Sequence, residues 1–222
     1  MKNSTRKKTN NIVIFEPHTD DALLSCNTRL TSKDYSKIYV VTFSAGDERN
    51  SLAYKTRLNR KVIPVILPIT EVHYRYSASF NLKDFCEGMK YNQTSYKTIE
   101  SQFSGYSAVL ERICADTGEQ YVPYGVYHPH HIITNHLLKN YFHSVFSEAE
   151  YIYYYIDQPY CFNHPDHLRN AHERNNIIFY DERIRVEKIP DPDVKGLMLK
   201  CFKPFFLTGD EHKINSSLYL KQ

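Results

Sequence analysis

The sequence predicts an α/β fold, a mainly parallel sheet with helices on both faces in three layers. Three observations predict it. Short runs rich in β-branched and aromatic residues alternate along the chain with longer helical patterns. The polar, chemistry-bearing residues cluster just after those runs, where an open α/β sheet binds its ligands. The 222 residues, 41% hydrophobic and 24% charged, suffice for one domain with its own core.

Asn11-Ile-Val-Ile-Phe15 reads as a buried strand, broken by Glu16-Pro17. A helix is expected from about Asp20 to Leu30. Lys37 to Phe43 is a second strand, followed by the small and acidic turn Ser44-Ala-Gly-Asp-Glu48. A basic helix, Ser51 to Val62, carries Lys55, Arg57, Arg60 and Lys61. Val62 to Leu67 reads as a short third strand, at an edge or broken because of Pro64. Residues 70–94 read as an aromatic insertion with short elements.

Ile99, Phe103, Tyr106, Val109, Leu110 and Ile113 have helical spacing, which predicts one helix over 94–116, ended by Gly118. Glu119 to Val122 is a short strand, 123–131 a loop, Ile132 to Phe146 a helix and Tyr151 to Ile156 a strand. A second polar loop spans 157–167, and helix, strand and helix are expected over 168–207. This alternation makes the fold Rossmann-like. No repeat or low-complexity linker divides it, so 11–222 is read as a single domain.

Composition bounds the function. A net charge of +3 does not describe a nucleic-acid-binding surface. Positive charge is locally dense in residues 1–10, with Lys2, Arg6, Lys7 and Lys8, read as a disordered basic tail. Five scattered cysteines without Cys-x-x-Cys spacing suit reduced thiols. No apolar run approaches the ~18 residues of a membrane helix, and the N-terminus has no signal-peptide pattern. A cytoplasmic protein without membrane or nucleic-acid partners is expected. The 19 tyrosines are read mainly as amphipathic packing at sheet edges, with some available to line a polar cleft.

Two constellations carry chemistry. His18-x-Asp20-Asp21 crowds an imidazole and two carboxylates onto the loop after strand 1, a costly arrangement unless a cation compensates. Imidazole and carboxylate suit Zn²⁺, which in catalytic sites keeps three protein ligands and an open position. One aspartate can bind metal while its neighbour takes a proton. The plainer alternative is that Thr19 or Asp20 caps the helix and His18 lies at the surface. His128-Pro-His130-His131 opens a helix after another strand, and its His-x-x-His spacing lets one imidazole ligate while the other faces substrate. Incidental histidines at a polar helix start are the alternative there. Arg57 reads either as helix surface charge or as a contact for an anionic substrate group. Asp47 reads either as a partner for a sugar hydroxyl or as a turn former.

Pro17-His-Thr-Asp-Asp21 resembles the Pro-His-x-Asp-Asp signature of the PIG-L/LmbE-like deacetylases. Val40 to Asp47 resembles that family's second strand and Gly-containing turn. Pro123-Tyr-Gly-Val-Tyr-His-Pro-His-His131 resembles its Pro-x-Gly-x-x-His-Pro-Asp-His segment, and Tyr153 to Tyr160 its Tyr-rich strand and Pro-Tyr turn. The resemblance spans most of 11–160. It implies a zinc hydrolase that removes acetyl groups from small N-acetylated amino sugars and their conjugates. It also implies His18, Asp21 and His131 as zinc ligands and Asp20 as general base. His128 then stabilises the oxyanion or protonates the leaving amine. Apart from the resemblance, Arg57, Asp47 and Tyr127 are candidate substrate contacts.

Three departures stand out. Ala22 replaces a glutamate, Leu24-Ser-Cys-Asn-Thr28 replaces a glycine-rich stretch, and His130 replaces the aspartate expected to orient and charge its neighbour. These motivate a second reading, an inert relative that binds a glycan or nucleotide. The basic tail and Arg57 to Lys61 prompt a third, a deacylase acting on nucleotide- or nucleic-acid-linked amides. Asn163-His-Pro-Asp-His167 matches the family string better than 128–131, but it lies one element too late, so His131 is preferred to His167. His164, Asp166 and His167 then rim the cleft or start a helix.

Overall fold

A computed structural model describes residues 9–44, 59–72, 80–91, 93–145, 151–157, 160, 165–175 and 184–187. Asp47, Arg57, His164, residues 1–8 and residues 188–207 lie outside the described residues, and so do the expectations placed on them.

Six strands form one sheet: β1 Asn11–Glu16, β2 Lys37–Ser44, β3 Val62–Ile69, β4 Glu119–Pro123, β5 Tyr151–Tyr155 and β6 Ile184–Glu187. Every pairing is parallel and the order is β3-β2-β1-β4-β5-β6. The chain winds outward from β1 in one direction, then restarts at β4 in the other. The carboxyl ends of β1 and β4 therefore flank the switch point, where such sheets open a crevice.

Alternation within β1 divides the core. Ile12 and Ile14 face Ala22, Leu23 and Leu30 of helix α1 (Asp21–Thr31), together with Ile38, Val40, Tyr121 and Tyr155. Val13 and Phe15 face the opposite layer, with Val41 and Phe43. There they meet Ile99 and Phe103, then Leu110 and Ile113, then Ile133 and Leu137. A short helix, α2 (Leu82–Cys86), precedes the helices that carry these pairs: α3 (Tyr96–Ser104), α4 (Ser107–Ala115) and α5 (Pro129–Val145). Helix α6 (Pro165–Asn175) adds Ala171 to the same layer. Helices thus cover both faces, as the pattern predicts.

Five expectations change. The helix expected over 94–116 is two, α3 and α4, interrupted at Gly105-Tyr106, where a glycine costs about 1 kcal/mol in a helix interior. The basic helix expected to reach Val62 does not, because Val62 opens β3. That strand is longer than expected and tolerates Pro64 and Pro68 because it lies at the sheet's edge. Helix α5 starts at Pro129 rather than Ile132, since proline suits the first helical position, where no N–H is needed. Among the described tyrosines, Tyr121, Tyr154 and Tyr155 are fully buried on the inner strands β4 and β5 rather than packed at a sheet edge.

Two buried groups pin the strand ends. Glu16 accepts from the Ala22 N–H (3.0 Å) and the Thr42 hydroxyl (2.5 Å), tying α1 and β2 to β1. Ala22, where the family resemblance calls for glutamate, packs into the core. The Tyr155 hydroxyl passes beyond β4 to donate to the Phe15 carbonyl at 2.7 Å. Tyr155→Phe should cost about 1–2 kcal/mol in urea unfolding, with an unchanged denaturant slope, because a buried acceptor loses its donor.

Candidate metal centre

The site is built from the two ends flanking the switch point. His18 follows β1 by two residues, and Asp21 opens α1. Its carboxylate folds back so that Oδ2 accepts the His18 backbone N–H at 2.8 Å. Asp20 occupies the N-cap of α1 but makes no side-chain capping bond. His18 is largely buried, with 19% of its side chain exposed, rather than a surface imidazole.

After β4 the chain turns through Gly125 (φ 79°) and Tyr127 (φ 64°). A Cβ on Gly125 would meet Asn135 Cβ at 3.0 Å, so the turn needs glycine for both conformation and space. The C-terminal end of α6 holds this turn from outside. Arg174 donates to the Gly125 carbonyl (2.5 Å) and Asn175 to that of Tyr124 (2.9 Å). The turn delivers His128 to the start of α5, where its Nδ1 accepts the His130 N–H at 3.2 Å. His128 thus caps the helix with its own ring, which places the imidazole proton on Nε2.

Three donor atoms converge from these ends. His18 Nδ1 and His131 Nε2 are 3.2 Å apart, and Asp21 Oδ2 lies 3.4 Å from the first and 3.2 Å from the second. Tetrahedral zinc with bonds of 2.0–2.1 Å needs neighbouring ligand atoms about 3.3 Å apart. The triangle has that size, and imidazole and carboxylate are both donors that zinc takes. His18, His128 and His131 form a looser set, with donor atoms within 4.8 Å of one another.

The outer partners are buried too. His131 Nδ1 meets Asp157 Oδ1 at 2.6 Å, both side chains being fully buried. Asp157 Oδ2 accepts from the N–H groups of Gly125 (2.8 Å) and Val126 (3.0 Å). One carboxylate at the end of β5 therefore fixes both the turn and the ring. His18 Nε2 faces Glu71 Oε1 at 3.1 Å and His130 Nδ1 at 3.4 Å. The ring of His130 turns to His18, and what His130 gives His128 is a backbone N–H.

Burial works against charge on the two facing imidazoles, but their carboxylate partners win. Hydrogen bonds to Asp21 and Glu71 carry His18 up to about 10, and the charges of Asp21 and Asp157 carry His131 up to about 9. Burial likewise opposes ionisation of Asp21, yet the charge of His131 and hydrogen bonds from both histidines hold it well below the usual carboxylate range. Asp20 is pushed up to about 6 by burial, then by the charge of Asp21. His128 is pushed down to about 3 by burial and by the neighbouring charged histidines.

Of the residues the sequence singles out, the structure brings together His18, Asp20, Asp21, His128 and His131. Tyr127 stands at the rim, its ring 5.5 Å from that of Tyr160 and 4.9 Å from that of His167. His167 packs edge-on against Tyr127, while Asp166 is exposed and paired with Arg169 (3.5 Å). Glu16, Glu71 and Asp157 escape sequence reading as site residues. The signal available for each was a carboxylate at or just beyond the carboxyl end of a strand.

Neither a protein-family model nor a curated protein matches the chain. Solved structures do. The zinc-inhibited form of the teicoplanin deacetylase Orf2 is 15% identical, with 94% of this chain and 90% of that chain covered and a TM-score of 0.56. The A40926 pseudoaglycone deacetylase Dbv21 is 14% identical, with 95% and 84% covered and a TM-score of 0.51. The chain has the fold of these deacetylases. At such identity the likeness extends to the fold alone.

Metal uptake needs both facing imidazoles neutral. Below pH 9 the metal-free protein holds protons on them, so zinc binding at pH 7 should release more than one proton per ion. The release should fade as pH rises through 9 to 10, and zinc affinity should rise over the same range. Calorimetry in buffers of different ionisation enthalpy measures it.

Proposed function

We propose that the chain is a zinc-dependent N-deacetylase of the PIG-L/LmbE-like family, taking a small N-acetylated amino sugar or sugar conjugate. The observation that carries this reading is the triangle of His18 Nδ1, Asp21 Oδ2 and His131 Nε2 at the sheet's switch point. Beside it stand a carboxylate and an imidazole that ligate nothing in that set. The ordered motifs over 11–160 and the fold shared with the teicoplanin and A40926 pseudoaglycone deacetylases support the same family. Free thiols at Cys26, Cys86 and Cys114 accord with the reducing cytoplasm we propose as its setting. Among the described residues no helix is long and apolar enough to cross a membrane.

Each residue then has a task. His18, Asp21 and His131 hold the ion. An ion such as zinc held there would supply Lewis acidity to the amide carbonyl and to the attacking water. Asp20, poised near neutral pH, takes a proton from the attacking water. His128 presents Nε2–H, with its other nitrogen occupied by the cap, and so donates a hydrogen bond to the developing oxyanion without being cationic. With His128 neutral, the proton held by Asp20 goes to the leaving nitrogen as the C–N bond breaks. Water and amide yield amine and acetate. Tyr127 and Tyr160 offer ring faces to a sugar at the rim.

Asp20→Asn should lower kcat by about 10²–10⁴-fold on an N-acetylglucosamine conjugate while zinc content stays at one ion per chain. His18→Ala and Asp21→Ala should lose the ion. For wild type, kcat/KM should fall with decreasing pH at or below about 6, where Asp20 becomes protonated. Full activity in Asp20→Asn would contradict the reading.

A further inference from the structure

Glu71 lies two residues beyond the end of β3, and no motif marks it. Its carboxylate spans two other strand ends. Oε1 meets His18 Nε2 at 3.1 Å, and Oε2 accepts from the hydroxyl of Ser44, the last residue of β2, at 3.4 Å. Its side chain is 36% exposed, unlike the sealed Asp157 that serves His131.

We infer that Glu71 is a positioning residue that sets the orientation and basicity of His18 as a metal ligand. The inference rests on the metal-site reading above. His18 turns Nδ1 toward Asp21 and His131, so an imidazole that ligates through Nδ1 keeps its proton on Nε2. That N–H lies in a largely buried pocket and requires an acceptor. Two atoms compete for it, Glu71 Oε1 at 3.1 Å and His130 Nδ1 at 3.4 Å. The carboxylate is the nearer and, being charged, the stronger acceptor. A carboxylate on the outer nitrogen fixes the tautomer, stops the ring rotating and makes the inner nitrogen a better donor to the ion. His131 already has this arrangement with Asp157, so both imidazoles carry a carboxylate behind them. The difference is access. Glu71 joins the site from a partly exposed position beyond the sheet's edge strand, whereas Asp157 is sealed.

The experiment compares wild type, Glu71→Ala and Glu71→Gln by chelator competition for zinc and by the visible spectrum of the cobalt(II)-substituted protein. Glu71→Ala should weaken zinc binding 10- to 100-fold at pH 7 and change the cobalt ligand-field bands, with circular dichroism unchanged. Glu71→Gln keeps an acceptor oxygen without the charge and should recover part of that loss. Equal affinity and identical spectra in all three proteins would overturn the inference while leaving the metal site standing. Complete loss of the bound zinc in Glu71→Ala would overturn it too, by making Glu71 a ligand. Wild-type protein that takes up no zinc would overturn the metal-site reading, and this inference with it.

Discussion

The structure depends on one electrostatic constraint. Asp21 Oδ2, His18 Nδ1 and His131 Nε2 point at one another across 3.2–3.4 Å in a largely buried place. Lone pairs so arranged repel unless positive charge lies among them. The carboxylates of Asp21, Glu71 and Asp157 raise both imidazoles above their ordinary range and so favour protons there. A divalent ion supplies the positive charge better, because it satisfies all three donors at once. Further groups exist to keep these atoms facing. Asp157 locks His131, the Tyr155 hydroxyl and Glu16 fix the end of β1, and Arg174 and Asn175 clamp the turn before His128.

The parallel sheet makes this convergence affordable. Residues 18 and 131 are far apart in sequence, yet β1 and β4 are neighbours, so their carboxyl ends deliver both histidines to one crevice. Backbone order does the long-range work, and the local capping of α5 by His128 sets the fine geometry. The same capping bond fixes a tautomer, so a structural device at a helix start also determines what His128 offers a substrate.

Much of this was legible in the sequence. β-Branched runs marked β1, β2 and β5, and the histidines and aspartates after β1 and β4 marked the crevice. What escaped was what depends on tertiary neighbours. Glu71 and Asp157 look like ordinary loop acids until the strand order places them behind His18 and His131. His130 stands where the resemblance calls for an aspartate that orients and charges its neighbour. Starting α5 at Pro129 instead turns that ring toward His18 and leaves only its N–H for His128. The division of 94–116 into two helices was hidden because Phe103 and Leu110 keep helical spacing across the break at Gly105.

The central claim is that one ion is held by two histidines and one aspartate at the switch point. An anomalous difference map at the zinc edge, from crystals of the zinc-loaded protein, tests it most directly. The account predicts a single strong peak bonded to His18 Nδ1, Asp21 Oδ2 and His131 Nε2, with His128 and Asp20 outside bonding distance. A peak bonded to His128 or His167 in place of Asp21 or His131, or no peak in this crevice, would contradict it.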